Sequence, residues 1–338
     1  MLSGLRVGVL MGGPSAEREI SLKSGQAVAA ALQDRYHVVP VELPSDPELL
    51  QASDAQLERS PRALAAVAAE LQAAQLDAAF IALHGAFGED GTIQAVCEQL
   101  GVPYTGSGVK ASQRAMDKVV SRVIFDREGL RVPRYHVVTT RTVGTIRLTI
   151  PPPVVVKPVS QGSSIGVSLV EQAEALPDAL SLAFRYDPRV LIEEYIPGRE
   201  VTVGILGDQP LPVVEIQPRH PFFDFEAKYQ PGQTTYQVPA QLDETVVQAA
   251  QETALRAHRL LGARHVSRVD LILREDRIPV VLELNTIPGF TATSLVPMAA
   301  QAAGLSFEAL CARLVELALQ DRREEAALSG AAETRPRV

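Results

Sequence analysis

The stretch SRVDLILREDRIPVVLELNTIPG, Ser267 to Gly289, reads as two apolar strands joined by a polar turn, yet it carries an arginine and two acids among its valines and leucines. Alternate side chains of a strand point to opposite faces, so Arg268 and Asp270 share a face. On the second strand Glu283 and Asn285 share a face, with Leu282 and Leu284 opposing them. A turn centred near Asp276 and Arg277 sets Asp270 opposite Glu283 and Arg268 opposite Asn285 in antiparallel register. One sheet face then holds two carboxylates, an amide oxygen and a guanidinium. That donor set suits Mg2+, a hard ion that takes oxygen ligands and is completed by substrate phosphates. An exposed amphipathic hairpin with its charges in water is the other reading these residues allow.

Other stretches could bring a phosphate. KPVSQGSSIG, Lys157 to Gly166, is a glycine- and serine-rich loop after a strand that ends in lysine. Its backbone N–H groups and hydroxyls could wrap a triphosphate while Lys157 offsets charge, or it could be a plain hairpin turn. It also contains G-S-S-I-G, the pattern of a hydrolase nucleophile elbow around Ser164, but VSLV after it reads as a strand where the elbow needs a helix. GSGVKA, Gly106 to Ala111, matches a dinucleotide pattern only in isolation and reads as a turn opening a helix. No Gly-Lys pair occurs, so no Walker A motif exists. MGGPSAEREIS supplies Glu17 and LHGAFGEDG supplies His84, each just after a strand, where open α/β sheets bind ligands. A lone acid or histidine in such a loop is more often solvated or structural. FFDFEAKYQPGQTTYQ, Phe222 to Gln237, is an aromatic-rich loop carrying Lys228 and Tyr229; it is either a lid or an edge hairpin.

These residues need elements to hold them. Leu5–Met11, Tyr36–Leu43 and Ala78–Leu83 read as strands, with helices from Ser21, as cap, to Leu32, from Arg62 to Ala74 and from Thr92 to Leu100. This alternation predicts an α/β domain with a doubly wound parallel sheet over residues 1–112. PSDPELLQASDAQLERSP reads as a loop. After a helix from Met116 to Glu128 the pattern turns α+β, with short strands at VVVKP, GVSLV, VLIEEY, EVTVGIL and LPVVEI and a helix near Gln172 to Phe184. Boundaries fall at 113–189 and 190–321, the latter including a helix from Thr245 to Leu261, the hairpin and a last helix from Ser306 to about Asp321. The tail, 322–338, lacks apolar periodicity and is expected to be disordered.

The 338 residues suffice for more than one core, and the formal charge of -8 argues against a nucleic-acid or anionic-membrane binder. ALAAVAAELQAAQLDAAFIAL is interrupted by Glu70, Gln72 and Asp77 and does not read as a membrane span. The start has too short an apolar run for a signal peptide, and Cys97 and Cys311 lack metal-like spacing, so a cytoplasmic protein with reduced, buried thiols is expected.

The ordered set GGPSAEREIS, LHGAFGEDG, MDK, KPVSQGSSIG, FDFEAKY, SRVDL and LELNTIPGFTATSLVPM, spread from residue 5 to about 320, resembles the ATP-grasp family and, within it, the ligases that join two D-alanine molecules. The resemblance implies a two-part ATP-grasp fold after the N-terminal domain, with ATP between two sheets and the dipeptide site facing the N-terminal sheet. Lys118, Lys157 and Lys228 would meet ATP phosphates beside the Ser163 loop. Glu193, Glu194 and Ile196 would meet the adenine edge and Glu200 the ribose. Asp270, Glu283 and Asn285 would hold two Mg2+, with Mn2+ an acceptable substitute. Glu194 departs from the family, where many members carry lysine.

The implied activity is formation of D-alanyl-D-alanine for peptidoglycan precursors through a D-alanyl phosphate, releasing ADP and phosphate. Glu17 would bind the first ammonium with His84 near its carboxyl end, and Ser294 and Leu295 would receive the second carboxylate. Arg268 and the Gly289 N–H would stabilise the tetrahedral oxyanion. Lys228 and Tyr229 would lie on a lid, Tyr229 reaching toward Ser163 and Glu17. Tyrosine at 229 matches the forms that prefer D-alanine as second substrate; a D-lactate or D-serine ligase and a non-catalytic nucleotide-binding scaffold are the alternatives. The family implies a homodimer.

Overall fold

The computed structural model describes residues 4–45, 61–144, 148–218 and 233–333, which form two compact units. The first comprises Met1–Val109, Arg264–Val266 and Ile287–Val338, and the second Lys110–Ala263 and Ser267–Thr286.

In the first unit β1 (Arg6–Gly12), β2 (His37–Leu43) and β3 (Ala78–Ile81) form a parallel sheet in the order β2-β1-β3. A strand covered on both faces must be apolar almost throughout, and β1 is buried from Val7 to Gly12. Helices α2 (Pro61–Ala74) and α3 (Thr92–Leu100) pack Val67, Leu71, Ile93 and Cys97 against Leu10 and Ile81 on one face. Helix α1 (Arg18–Leu32) covers Met11 on the other, where a Cβ on Gly25 would lie 2.4 Å from that of Met11. This part is thus a parallel three-stranded sheet flanked by helices, within a mixed α/β chain of several sheets. Ser21 does not cap α1, which begins earlier. Its hydroxyl lies inside the helix, accepting from the Gly12 N–H at 2.9 Å and donating to the Ala82 carbonyl at 2.8 Å, so it ties the ends of two strands to α1.

The second unit opens with α4 (Val109–Met116), entered at the GSGVKA turn, and α5 (Lys118–Arg127), which falls within the helix expected from Met116 to Glu128. Asp117 separates them because it adopts extended backbone and caps α5, accepting from the Val119 and Val120 N–H groups at 2.9 and 3.0 Å. An antiparallel sheet follows, β4 (Tyr135–Thr139), β5 (Val154–Pro158), β6 (Ser168–Val170) and β7 (Arg189–Glu194), in the order β4-β7-β5-β6, with α6 (Leu176–Ala183) against it. Because β7 pairs with both β4 and β5, this sheet runs through Glu194, and the next sheet starts at Arg199.

The second sheet has β8 (Arg199–Leu206), β9 (Gln209–Pro210), β10 (Val214–Pro218), β11 (Thr234–Gln237), β12 (Val266–Leu273) and β13 (Pro279–Asn285), ordered β11-β10-β8-β12-β13 with β9 beside β8. Helix α7 (Glu244–Leu261) lays Val246, Ala250, Ala254, Ala257 and Leu261 on Val201, Val203, Val269 and Leu284. That apolar repeat at helical spacing is what seats it on the sheet. The loop containing Lys228 and Tyr229, and most of the proline-flanked segment after Leu43, lie outside the described residues.

The remaining helices, α8 (Leu295–Ala302) and α9 (Phe307–Glu333), belong to the first unit, not to the unit that contains the hairpin. Phe290 provides the reason: it stacks edge-on to Phe80 at 5.4 Å and lies 5.9 Å from Phe307. The expected disorder from residue 322 is corrected as well, because α9 continues to Glu333. Its second half is rich in alanine, glutamate and arginine, which are strong helix formers, and has no proline before Pro336, although it carries Ser329 and Gly330. None of the described helices is long and apolar enough to cross a membrane.

Candidate active site

The second unit contains a cavity of about 350 Å3 lined by residues from both of its sheets. Lys118, Lys157, Gln161, Gly162 and Ser164 contribute from one side, Asp270 and Glu283 from the hairpin, Glu200 and Ile216 from strands β8 and β10, and Ile196 from the connection between β7 and β8. Val155, Ile272 and Leu282 add apolar surface of the kind a planar base requires.

The register of the hairpin is the expected one, Asp270 opposite Glu283 and Arg268 opposite Asn285. One detail differs. A bulge follows Asp270, with Leu271 opposite Val281, so that Leu282 does not turn away but lines the cavity next to Glu283. Bulges re-aim side chains at such places. Arg268 grips Asp270 in a two-pronged bond, Nε to Oδ1 and Nη2 to Oδ2, both at 2.8 Å, and the Thr202 hydroxyl adds a bond to Oδ1 at 2.6 Å. The carboxylate is thus oriented before any ligand arrives.

Opposite stand the two lysines. Lys118, the first residue of α5, donates to the Gln161 carbonyl at 2.6 Å and lies 3.5 Å from Glu283. Lys157, at the end of β5, lies 2.5 Å from Glu193, and the same carboxylate also pairs with Arg122. Burial pushes the Lys157 amine down to about 8; Glu193 opposes that shift, while Arg122 and Lys118 reinforce it. Glu193 is 3% exposed, so its side chain is committed to two cations within the unit. Glu194 is anchored by Arg134, whose backbone N–H and Nε donate to it at 3.0 and 2.7 Å. The glycine loop takes the left-handed region at Ser163 and Ser164, φ 50° and 57°, and leads into β6 rather than a helix, so Ser164 lacks the setting of a nucleophile elbow.

Residues that the sequence had not singled out support and line this cavity. Arg122 does not line it but is buried behind it as the partner of Glu193; it follows Lys118 by one helical turn, a spacing that could have flagged it. The pair Arg199 and Glu215, bonded at 2.6 and 2.7 Å across neighbouring strands, lines the wall, and Arg199 holds the Glu215 carboxyl below the usual carboxylate range. No local spacing predicts that pairing.

A second constellation lies in the first unit. The Ser15 hydroxyl donates to the His84 carbonyl at 2.6 Å and accepts from the Glu17 N–H at 3.2 Å, and Ser24 Oγ lies 3.1 Å from His84 Nε2. Glu17 and His84 are both buried. Gly85 must be glycine here: φ is 69°, and a Cβ would come within 2.6 Å of Glu17 Oε2. The Phe290 N–H approaches Ser24 Oγ at 3.4 Å, which brings Gly289 to the same corner. Ser294 bonds the Thr291 N–H at 3.0 Å and stands just before Leu295, the first residue of α8. In this unit Glu17 and His84 stand beside Ser15 and Ser24, and Gly289 beside Ser294; in the other, Lys118, Lys157, Glu193, Glu194, Ile196, Glu200, Asp270 and Glu283 line one cavity, Ser163 and Asn285 are not among its lining residues, and Lys228 lies outside the described residues.

Comparison with known proteins adds relatives of one kind. Family models described as D-ala D-ala ligase N-terminus and D-ala D-ala ligase C-terminus match residues 6–107 and 124–316. The D-alanine–D-alanine ligase of Anaeromyxobacter sp. (strain K) is 45% identical over 317 residues, covering 93% of this chain and 97% of its own. That of Geobacter sulfurreducens is 44% identical over 318 residues, covering 93% and 94%. The crystal structure of the Bacillus anthracis enzyme complexed with ATP superposes with a TM-score of 0.78 at 32% identity, covering 95% of this chain and 99% of that one.

Proposed function

This chain belongs to the D-alanine–D-alanine ligase family, and we propose that it joins two D-alanine molecules with ATP held in the cavity of its second unit. The observation that carries the reading is the opposition of Lys118 and Lys157 to Asp270 and Glu283 around one cavity, a setting for phosphates between cations and metal-binding oxygens. Asp270, Glu283 and Asn285 offer only oxygen donors, which fits two Mg2+ or Mn2+ ions. When bound, such ions neutralise charge on the phosphate oxygens.

The chain's own residues do the rest. Glu17 holds the first D-alanine by its ammonium and His84 stands near its carboxyl end. That carboxylate attacks the γ-phosphorus, the bond to the ADP oxygen breaks, and a D-alanyl phosphate forms while Lys118 and Lys157 balance the phosphate charge. The neutral amine of the second D-alanine, placed by Ser294 and Leu295, attacks the acyl carbon. Arg268 and the Gly289 N–H meet the oxyanion, and its collapse expels phosphate and leaves the dipeptide. Ile196 and the backbone of Glu194 meet the adenine edge, Glu200 the ribose, and the Ser163 loop the phosphates. Lys228 and Tyr229 close over the acyl phosphate and keep water out. The two sheets of the second unit act as the halves between which ATP lies, and the protein works as a cytoplasmic homodimer supplying peptidoglycan precursor.

The test is phosphate release from ATP and Mg2+ with D-alanine, L-alanine, D-lactate and D-serine, the products weighed by mass spectrometry. Release coupled to D-alanyl-D-alanine and absent with L-alanine is expected. Preferential depsipeptide formation with D-lactate would shift the second substrate, and no hydrolysis with any of them would sink the ligase reading. Ser164→Ala should keep ligation within about threefold of the parent, since its hydroxyl is one of several loop donors and not a nucleophile; loss of all turnover would restore the hydrolase alternative.

A further inference from the structure

The chain enters β12 through a turn that ligation chemistry alone does not call for. The Val266 N–H donates to the Arg264 carbonyl at 2.7 Å, and His265 between them has φ 61°. A three-residue turn with positive φ at its centre is the strained form of the γ-turn, and glycine is the residue that adopts it freely. Yet a histidine stands there, 4% exposed. Such conformations persist only where the surroundings over-determine them.

Here the surroundings do. His265 Nδ1 accepts from the Gly106 N–H at 3.1 Å, which leaves the ring proton on Nε2 to donate to Asp321 at 2.9 Å. Burial holds this imidazole neutral, with its pKa pushed down to about 4, so the tautomer is fixed at ordinary pH. Arg264 is gripped by the same parts. Its Nε donates to the Gly106 carbonyl at 3.0 Å, its Nη1 to Asp321 at 2.7 Å, and its guanidinium lies 5.0 Å above the Tyr104 ring. Asp321 thus takes both side chains of the turn. It stands on α9, at the point where the sequence had suggested that order ends.

What the turn fixes is phase. Val266 begins β12, so Arg268 and Asp270 share its parity, while Ser267 points the other way, is fully buried and bonds His258 at 2.7 Å. A slip of one residue would exchange the faces and turn the guanidinium away from the hairpin's acids. We propose that Arg264, His265 and Asp321 form a positioning clamp that sets the phase and direction of β12 and thereby holds Arg268 and Asp270 in place for ligation. This rests on Arg268 as the group that meets the oxyanion.

The experiment uses His265→Gly, which accepts the backbone angle and deletes the imidazole, with Asp321→Leu and Asp321→Asn, each measured for melting midpoint, KM for ATP and kcat of dipeptide formation. His265→Gly and Asp321→Leu each remove a partly buried pairing and should melt below the parent midpoint while staying folded at assay temperature, keep KM for ATP within about twofold and lose kcat by about tenfold or more, as small misplacements of catalytic groups do. Asp321→Asn should recover most of kcat, because its amide oxygen still accepts from Nε2. In an Arg268→Lys background the loss from His265→Gly should largely vanish, since the group being positioned is already displaced. Parent kcat in both His265→Gly and Asp321→Leu, or losses that simply add to that of Arg268→Lys, overturns the clamp. Arg268→Ala separates the two ideas: an active Arg268→Ala overturns the oxyanion reading and the clamp together. An inactive one beside fully active His265→Gly and Asp321→Leu overturns the clamp alone.

Discussion

Arg268→Ala should reduce dipeptide formation by about 10²- to 10³-fold, the loss typical of removing one donor to a developing oxyanion. The side chain is held, not floating: its Nε and Nη2 are fixed on Asp270, and the Thr202 hydroxyl also bonds Oδ1 of that carboxylate. A donor immobilised in this way needs no reorganisation when charge develops, whereas a flexible one would. The defect should fall on the second half of the reaction. Oxygen scrambling within labelled ATP, which reports reversible phosphoryl transfer to the first D-alanine, should persist in the variant while dipeptide disappears. Scrambling lost in proportion to dipeptide would place Arg268 in phosphoryl transfer instead. Arg268→Lys should be nearly as poor, because an ammonium cannot reproduce the two-pronged grip on Asp270. Asp270→Ala should also lower stability, by about 3–5 kcal/mol, since it leaves a largely buried guanidinium without its carboxylate. A melting midpoint equal to the parent's would show that the pair is not structural.

The pairing of Asp270 with Glu283 was legible in the sequence for a simple reason. Strand faces alternate with a period of two, and a short turn leaves few registers, so residue order alone set the partners. Helices α2, α3 and α7 were legible through their apolar spacing. What escaped was anything that depends on a bend or a distant partner. The bulge after Asp270 turned Leu282 into the cavity, and nothing in IPVVLELN marks it. Ser21 looked like a helix cap because serine prefers that position, but tertiary bonds to Gly12 and Ala82 placed it within the helix. The commitment of Glu193 to Lys157 and Arg122 joins three elements, α5, β5 and β7, and pairings between elements are not written in local spacing. His265 is the clearest case. Left-handed turns are anticipated from glycine or asparagine, so a histidine held there by Gly106 and Asp321 leaves no mark on the sequence.

Lys157 should make ATP binding depend on pH in a direction opposite to its effect on stability. Its amine, shut away from water, is pushed down to about 8, so near neutrality it is mostly protonated and well above that it is mostly neutral. Only the protonated amine can balance a phosphate, and a bound phosphate raises its pKa again. ATP affinity should therefore be flat below about pH 7.5 and weaken above about pH 8, by up to about tenfold per pH unit. Folding responds with the other sign. The unfolded lysine titrates near its ordinary 10.5, so between about 8 and 10.5 the unfolded chain holds more protons than the native one, and this group's contribution to stability rises with pH. A fall in affinity caused by incipient unfolding would carry the opposite signature in the melting midpoint. Lys157→Arg should abolish the pH dependence, because a guanidinium stays charged throughout, while binding less well than the parent at neutral pH through the altered reach of its fork. Lys157→Met should weaken ATP binding by on the order of 10²-fold or more at pH 7, the loss expected when one partner of a desolvated charge pair is removed, and should show no alkaline fall at all. Titration calorimetry in buffers of different ionisation enthalpy provides the direct check: proton uptake on ATP binding near pH 8 in the parent, and none attributable to this site in Lys157→Met. Equal uptake in the two would assign the proton to a group other than Lys157.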